Sequence, residues 1–435
     1  MQRSRDRNHP DQRQRGVALI AASVAMAILG AIVVEFSTNT TVDIYAAKNA
    51  ELDMKAHFLA QSGMNLAELV LNVQKRLDSP TIRKQIGDIQ LADFVPQLIG
   101  AFGGSKEERD SWAELVGGTS GDDIKGLGVP EGEFSLDITT EDKKINLNCA
   151  KDSATAIALQ TQLFYLFLPE AYNPIFESAD GEGWQRDRET QIKSIIDYID
   201  EDPYVFEGES GLGARVREDY GYETLRDKYK PKDRKIDTTD EIKLARGVDD
   251  RLWNLFGSSF TVYGDCKINL TSVDDVKLIA ALIASARKEN DDPVVNDPVK
   301  LWTLAQKVTE AREFGLSFGE TQEFIDFVKD PAGGLAGFVG ERSAAGLPSA
   351  PVQSTGPPVE GVELDKAKLE KIATTGPRVT YRVEATALVQ HGGLNVSLEK
   401  RIVGIWDSRN TKQNSRAYGN QNDPSKGRWV YWRED

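Results

Sequence analysis

An uncharged run of 18 residues, Val17 to Val34 (VALIAASVAMAILGAIVV), starts directly after a stretch carrying Arg3, Arg5, Arg7, Arg13 and Arg15. Coiled as a helix it measures roughly 27 Å, enough to cross a hydrocarbon core. Arginines before it and Glu35 after it predict that the N-terminus stays in the cytoplasm while the bulk of the chain lies outside.

Three readings of this segment are open: a cleaved secretory signal peptide, an uncleaved signal anchor, or a leader cut at a glycine. A signal peptide has an apolar stretch of about 7–15 residues followed by a small-x-small site. Here the run is longer, and Glu35, Phe36 and Ser37 follow it. The junction Gln14-Arg15-Gly16-Val17-Ala18-Leu19 resembles the class III leader of type IV pilins and pseudopilins, which are cut after the glycine and keep the apolar helix. On that resemblance Gly16 and Val17 flank the cleavage point. Most of that family has Glu at the fifth mature position, whereas this chain has Ala21. A buried Glu needs the terminal amine of the subunit ahead to offset its desolvation. A subunit with none ahead gains nothing from it, and lacking this Glu is the habit of the K-type minor pseudopilins of type II secretion, which cap the tip.

Charge narrows the function classes. The chain has 53 Lys and Arg against 68 Asp and Glu, a net −15, and the first sixteen residues hold five Arg and only two Asp. The remainder is thus more acidic than the whole, which disfavours phosphate backbones, and no nucleic-acid partner is expected. Three His and two Cys exclude a zinc-finger array or a multi-disulfide scaffold. H-E-x-x-H, G-x-S-x-G, Walker A and G-x-G-x-x-G are all missing, and His9, His57 and His391 are scattered. No catalytic residue is assigned, and the chain reads as a non-enzyme.

The segmentation runs as follows. Residues 1–16 form the leader and 17–78 a continuous transmembrane and stalk helix of about 60 residues, with apolar positions at three- and four-residue steps up to Ser79-Pro80. Residues 79–148 begin the sheet-bearing core with the alternating strand Glu133–Asp137. Residues 149–260 are an inserted helical domain, and 261–330 a second strand–helix repeat with a helical hairpin. Residues 331–365 are rich in Gly, Pro, Ala and Ser and read as a linker or loop. Residues 366–435 hold antiparallel strands, a hairpin turning at His391-Gly392-Gly393 and a short strand at Trp429–Trp432. The phrase Lys144-Ile-Asn-Leu recurs as Lys267-Ile-Asn-Leu, each time after a strand and before a helix, so an internal duplication is expected. Ser153 and Ser272 are the expected N-caps.

The resemblance to K-type pseudopilins (the general secretion pathway protein K family) extends along most of the chain. It is carried by QRGVAL, the first KINLN, IIDYIDEDP with Tyr220 and Tyr222 downstream, DEIKLARGVDDRLW, the second KINL, and the hairpin from YRVEATA to VGIW. It implies an α+β, pilin-like fold with a long N-terminal helix, an antiparallel sheet and a large inserted helical domain. It further implies an inner-membrane anchor with the bulk in the periplasm, processing by a prepilin peptidase, other minor pseudopilins of a tip complex as partners, and calcium in the helical region. A minor pilin of a type IV pilus is the alternative, and a membrane-anchored DNA-uptake protein a more distant one.

The candidate calcium ligands are Asp197, Asp200, Glu201, Asp202, Glu207 and Glu209, six carboxylates within thirteen residues. Asp197 and Asp200 would share a helix face, with the others on a loop broken by Pro203. Calcium takes six to eight oxygens from a pliable loop, although the spacing is not that of an EF-hand and a solvated acidic loop would look alike. Asn146, Asn148 and Asn269 read as structural residues that satisfy backbone groups where a strand turns. Cys149 and Cys266 lie in the two copies, and either form a disulfide if the copies sit side by side or remain two buried thiols. The phrase around Gly247 has the form of a helix–hairpin–helix, but Asp249 and Asp250 would face the phosphates, so it reads as a packing element.

Overall fold

The computed structural model describes residues 11–79, 90–95, 132–180, 183–208, 217–218, 221–313, 316–344, 359–391, 396–409 and 427–435. Helix α1, Asp11–Leu77, is one unbroken helix of 67 residues that begins within the expected leader. From Gly16 to residue 47 every position is exposed. Burial begins at Leu52 and continues through Ala56, Leu59, Ala60, Met64, Ala67 and Leu71, the three- and four-residue steps of a helix with one covered face.

That face packs on a four-stranded antiparallel sheet of order β1-β6-β7-β8, made of β1 (Gly132–Thr140), β6 (Thr380–His391), β7 (Val396–Asp407) and β8 (Arg428–Glu434). Phe134, Leu136 and Ile138 of β1 alternate with exposed Ser135 and Asp137, and Tyr381, Val383, Ala385, Ala387 and Val389 of β6 continue the same apolar face. Small residues let the helix lie close. A Cβ on Gly63 would stand 3.1 Å from both Ala385 Cβ and the Phe134 ring. Gly63→Leu is expected to cost about 1–3 kcal/mol by overpacking and to lower the melting temperature of the detergent-solubilised protein. A variant that melts with the wild type would show that helix and sheet are not in close contact there. Polar ties finish the seam: Asp53 with Lys400 (3.0 Å), His57 with Glu434 (3.6 Å) and Trp429 Nε1 donating to Glu68 (3.3 Å).

Leu59 meets Gly132 and Gly63 meets Phe134, so α1 and β1 advance in the same direction. The far end of β1 is consequently the end away from the apolar run, and there the chain leaves the sheet for a helical body with its own core. A dense polar neck marks the exit. Asp142 Oδ2 accepts from Val379 N (2.6 Å) and Thr380 N (2.9 Å), the Asp142 carbonyl accepts from Asn269 N (2.8 Å), and buried Glu141 meets Arg382 (2.6 Å) and Lys144 (3.3 Å).

The body is two tandem modules built on one plan. In the first, β2 (Ile145–Asn146) leads into α2 (Ser153–Phe167), α3 (Arg188–Asp197) and α4 (Asp250–Phe256), and β3 (Phe260–Thr261) returns parallel to β2. In the second, β4 (Ile268–Asn269) leads into α5 (Val276–Ala286), α6 (Pro298–Glu313), α7 (Thr321–Lys329), α8 (Pro331–Ala344) and α9 (Lys366–Ile372), and β5 (Ala373–Thr374) returns parallel to β4. The repeated Asn does the same work in each copy. Asn146 Oδ1 accepts from Asn148 N and its amide donates to the Gly264 carbonyl; Asn269 Oδ1 accepts from Thr271 N and its amide donates to the Gly376 carbonyl. Asn148 adds bonds to the carbonyls of Ile236 and Val262.

Two local expectations are corrected. The caps are Asp152, which forms a capping box with Thr155, and Asp275, whose carboxylate takes the Lys277 amide; Ser153 is already helical and Ser272 bonds the Asn269 carbonyl. A carboxylate at the first turn also complements the helix dipole. Residues 331–344 form α8 and not a linker. Asp330 Oδ1 accepts from Gly333 N, Pro331 opens the helix, and Gly334 permits a close approach, since a Cβ there would lie 2.7 Å from the Phe327 ring. Residues 345–358 lie outside the described residues.

Candidate metal centre

Helix α3 is capped by Asp187, which takes the Thr190 amide, and it buries Ile192, Ile195 and Ile196 against the first module's core. Its last residue is Asp197. The helix does not run on to Asp200 as the sequence suggested: the Ile199 and Asp200 amides both close on the Ile196 carbonyl (3.0 Å each), folding Asp200 beneath the helix end. After Pro203 an isolated bridge pairs Tyr204 with Arg217, and Glu218 N donates to the Pro203 carbonyl (3.4 Å). That return brings Glu218 to the two aspartates. Carboxylate oxygens of Asp197, Asp200 and Glu218 lie within 4.8 Å of one another.

All three side chains are buried, at 7, 7 and 6 % exposure. Asp197 Oδ1 accepts from Phe206 N (2.7 Å), but Asp200 Oδ1 and both Glu218 carboxylate oxygens have no hydrogen-bond partner among the described residues. Burial, followed by mutual repulsion and the nearby Asp202, pushes Asp200 up to about 8 and Glu218 up to about 10. Asp197 rises to about 7, with burial the largest cause. Orphaned carboxylate oxygens in a desolvated pocket are costly unless a cation or protons answer them. An oxygen-only donor set with two carboxylates at a helix end and a third brought back through the Tyr204–Arg217 bridge suits a hard divalent ion.

Of the six residues the sequence singled out, the fold brings together Asp197 and Asp200. Asp202 is exposed, with one oxygen held by Tyr204 N (2.9 Å), and contributes its charge at the rim. Glu201 is exposed, Glu207 is half-buried outside the group, and Glu209 lies outside the described residues. Glu218 was missed. The one signal that could have found it was its position just before Tyr220 and Tyr222, the latter buried with its hydroxyl accepting from Arg246 N (2.9 Å).

The other singled-out residues are placed as follows. Cys149 and Cys266 are joined by a disulfide, Cα to Cα 5.4 Å, which closes a loop around the first module. Gly16, Val17 and Ala21 are exposed on α1. At the hairpin, Gly247 adopts φ +83°, a left-handed turn that suits glycine. Asp249 caps α4 through the Leu252 amide (3.0 Å) and pairs with fully buried Arg186 (3.1 Å), so this turn is committed to packing inside the body.

Fold and site together define an α+β protein with, among the described residues, one helix long and apolar enough to cross a membrane and a helical body carrying a buried carboxylate cluster. A solved structure similar to the chain is the GspK-GspI-GspJ complex of the type 2 secretion system from enterotoxigenic Escherichia coli. The match is 12% identical with a TM-score of 0.47, and covers 90% of this chain and 99% of the matched one. No family model and no curated protein matches the sequence.

Proposed function

We propose that the chain is a K-type minor pseudopilin: it caps the tip of a type II secretion pseudopilus, initiates its assembly and supports protein export across the outer membrane. The observation that carries this reading is the position of the helical body at the end of the sheet remote from the apolar run. A subunit built this way is widest where the next subunit would otherwise be added. Ala21 agrees with a position that has no subunit ahead, because there is no terminal amine for a Glu to meet. On the side of the stalk turned from the sheet, Met54, Phe58, Leu69 and Val73 are exposed at helical spacing, a surface suited to the stalks of partner pseudopilins in a tip complex.

In this reading prepilin peptidase cuts after Gly16, the helix from Val17 anchors the protein in the inner membrane, and the body stands in the periplasm. Asp197, Asp200 and Glu218 hold a calcium ion, with Asp202 at the rim. The ion supplies positive charge to the acidic pocket and fixes the end of α3 to the returning chain at Glu218. N-terminal sequencing of the mature membrane protein tests the reading. Val17 as the first residue is the expected result; an intact Met1 or a start beyond Val34 would remove it.

A further inference from the structure

Between the apolar run and the first residue buried by the sheet, α1 crosses a free stretch from Glu35 to Glu51. Its sequence is not uniform. Ser37-Thr-Asn-Thr-Thr-Val-Asp43 is seven consecutive residues of weak helix propensity, and no Ala, Leu, Glu, Lys or Arg interrupts them. Three of these side chains turn onto the helix's own carbonyls: Thr38 Oγ1 to Val34 O (2.6 Å), Thr40 Oγ1 to Phe36 O (2.8 Å) and Thr41 Oγ1 to Ser37 O (2.8 Å). Such bonds compete for the acceptors of the helical ladder and favour bending. All seven side chains are exposed, so no tertiary packing supplies what propensity withholds.

The segment that follows provides an internal comparison. Ile44 to Glu51 is almost as exposed, yet it contains Ala46, Ala47 and Ala50, and Lys48 pairs with Glu51 (2.7 Å) and Glu51 with Lys55 (3.0 Å). Weakness is thus confined to two turns of a 67-residue helix, directly outside the apolar run.

We propose that residues 37–43 are a hinge: they open locally while the helix on either side stays formed, and the body swings on this joint relative to its anchor. When helical the seven residues span about 10 Å, and fully extended about 23 Å, so opening also lengthens the tether. The joint itself depends only on the helix; what it moves rests on the anchored reading above.

Amide exchange of the full chain in lipid nanodiscs tests the joint. Residues 37–43 are expected to exchange at least about tenfold faster than residues 44–51, which are almost as exposed. A seven-fold variant of strong helix formers (Ser37→Ala, Thr38→Glu, Asn39→Ala, Thr40→Ala, Thr41→Lys, Val42→Ala, Asp43→Glu) should remove the difference. Spin labels at Ala31→Cys and Ala47→Cys give a second readout. A rigid helix holds these positions about 24 Å apart; the wild type should give a broad distribution around that value and the variant a narrow one. Equal exchange in the two segments, or a narrow distance in the wild type, would overturn the hinge. Protection of residues 17–34 in the same exchange data reports on the anchor separately: free exchange there would count against the anchored reading and leave the comparison of 37–43 with 44–51 intact.

Discussion

Millimolar calcium added to the metal-stripped protein is expected to raise its melting temperature, and to raise it more at pH 8 than at pH 5. The sign follows from the raised carboxyls. Asp197, Asp200 and Glu218 hold protons up to about 7, 8 and 10 in the folded state, whereas an unfolded chain releases them near the ordinary value of about 4. Between those limits the folded state binds more protons than the unfolded one, so the stability of the metal-free protein falls as pH rises through that window. Calcium needs the deprotonated carboxylates and therefore binds better over the same range. At a hundred times its dissociation constant an ion that binds only the folded state adds about 2.7 kcal/mol. Glu218→Gln should abolish the calcium response and, without metal at pH 8, melt no lower than the wild type, because an amide is neutral without the proton that the buried carboxyl must take up on folding. A wild-type melting temperature indifferent to millimolar calcium at pH 8 would dispose of the metal centre.

Reducing the disulfide is expected to have a comparable or larger effect. Cys149 and Cys266 are 117 residues apart, so the cross-link removes the entropy of a long loop from the unfolded chain. On the chain-entropy account that is worth about 4–5 kcal/mol. The loss should fall on the body. In a calorimetric scan, reductant or Cys149→Ser should move the transition of the helical modules down by roughly ten degrees, with the helix–sheet half less affected. A shift under about two degrees would mean that the Asn146 and Asn269 turns and the module cores hold the neck unaided.

Much of this was legible in the residues, because periodicity and turn chemistry are local. The helical stalk, the strand at Glu133–Asp137, the hairpin of β6 and β7 and the duplicated KIN turn each follow from a few consecutive side chains, whereas the pairing of Cys149 with Cys266 stayed open until the two copies were placed side by side. Tertiary contacts decided the rest. Residues 331–344 look like a linker because they are rich in Gly and Ala, yet glycine is what lets α8 lie against the Phe327 ring. The caps fell on Asp152 and Asp275 in preference to the neighbouring serines. The acidic pocket was half legible: Asp197 and Asp200 are local, but Glu218 arrives through the Tyr204–Arg217 bridge, a pairing no spacing rule announces. Crowding of carboxylates in the sequence drew attention to Glu201 and Asp202, which the fold turns outward.

The common direction of α1 and β1 has a mechanical consequence. A pull between the apolar run and the helical body travels along the helix and leaves through the far end of β1 and the start of β6. The load therefore runs parallel to the strands, and because the end of β1 pairs with the start of β6 the two strands are pulled together, so the helix–sheet contacts resist it side by side, in shear. A load applied across the helix axis would instead open those contacts one at a time. The sheet is oriented to act as a strain-bearing splice between anchor and body.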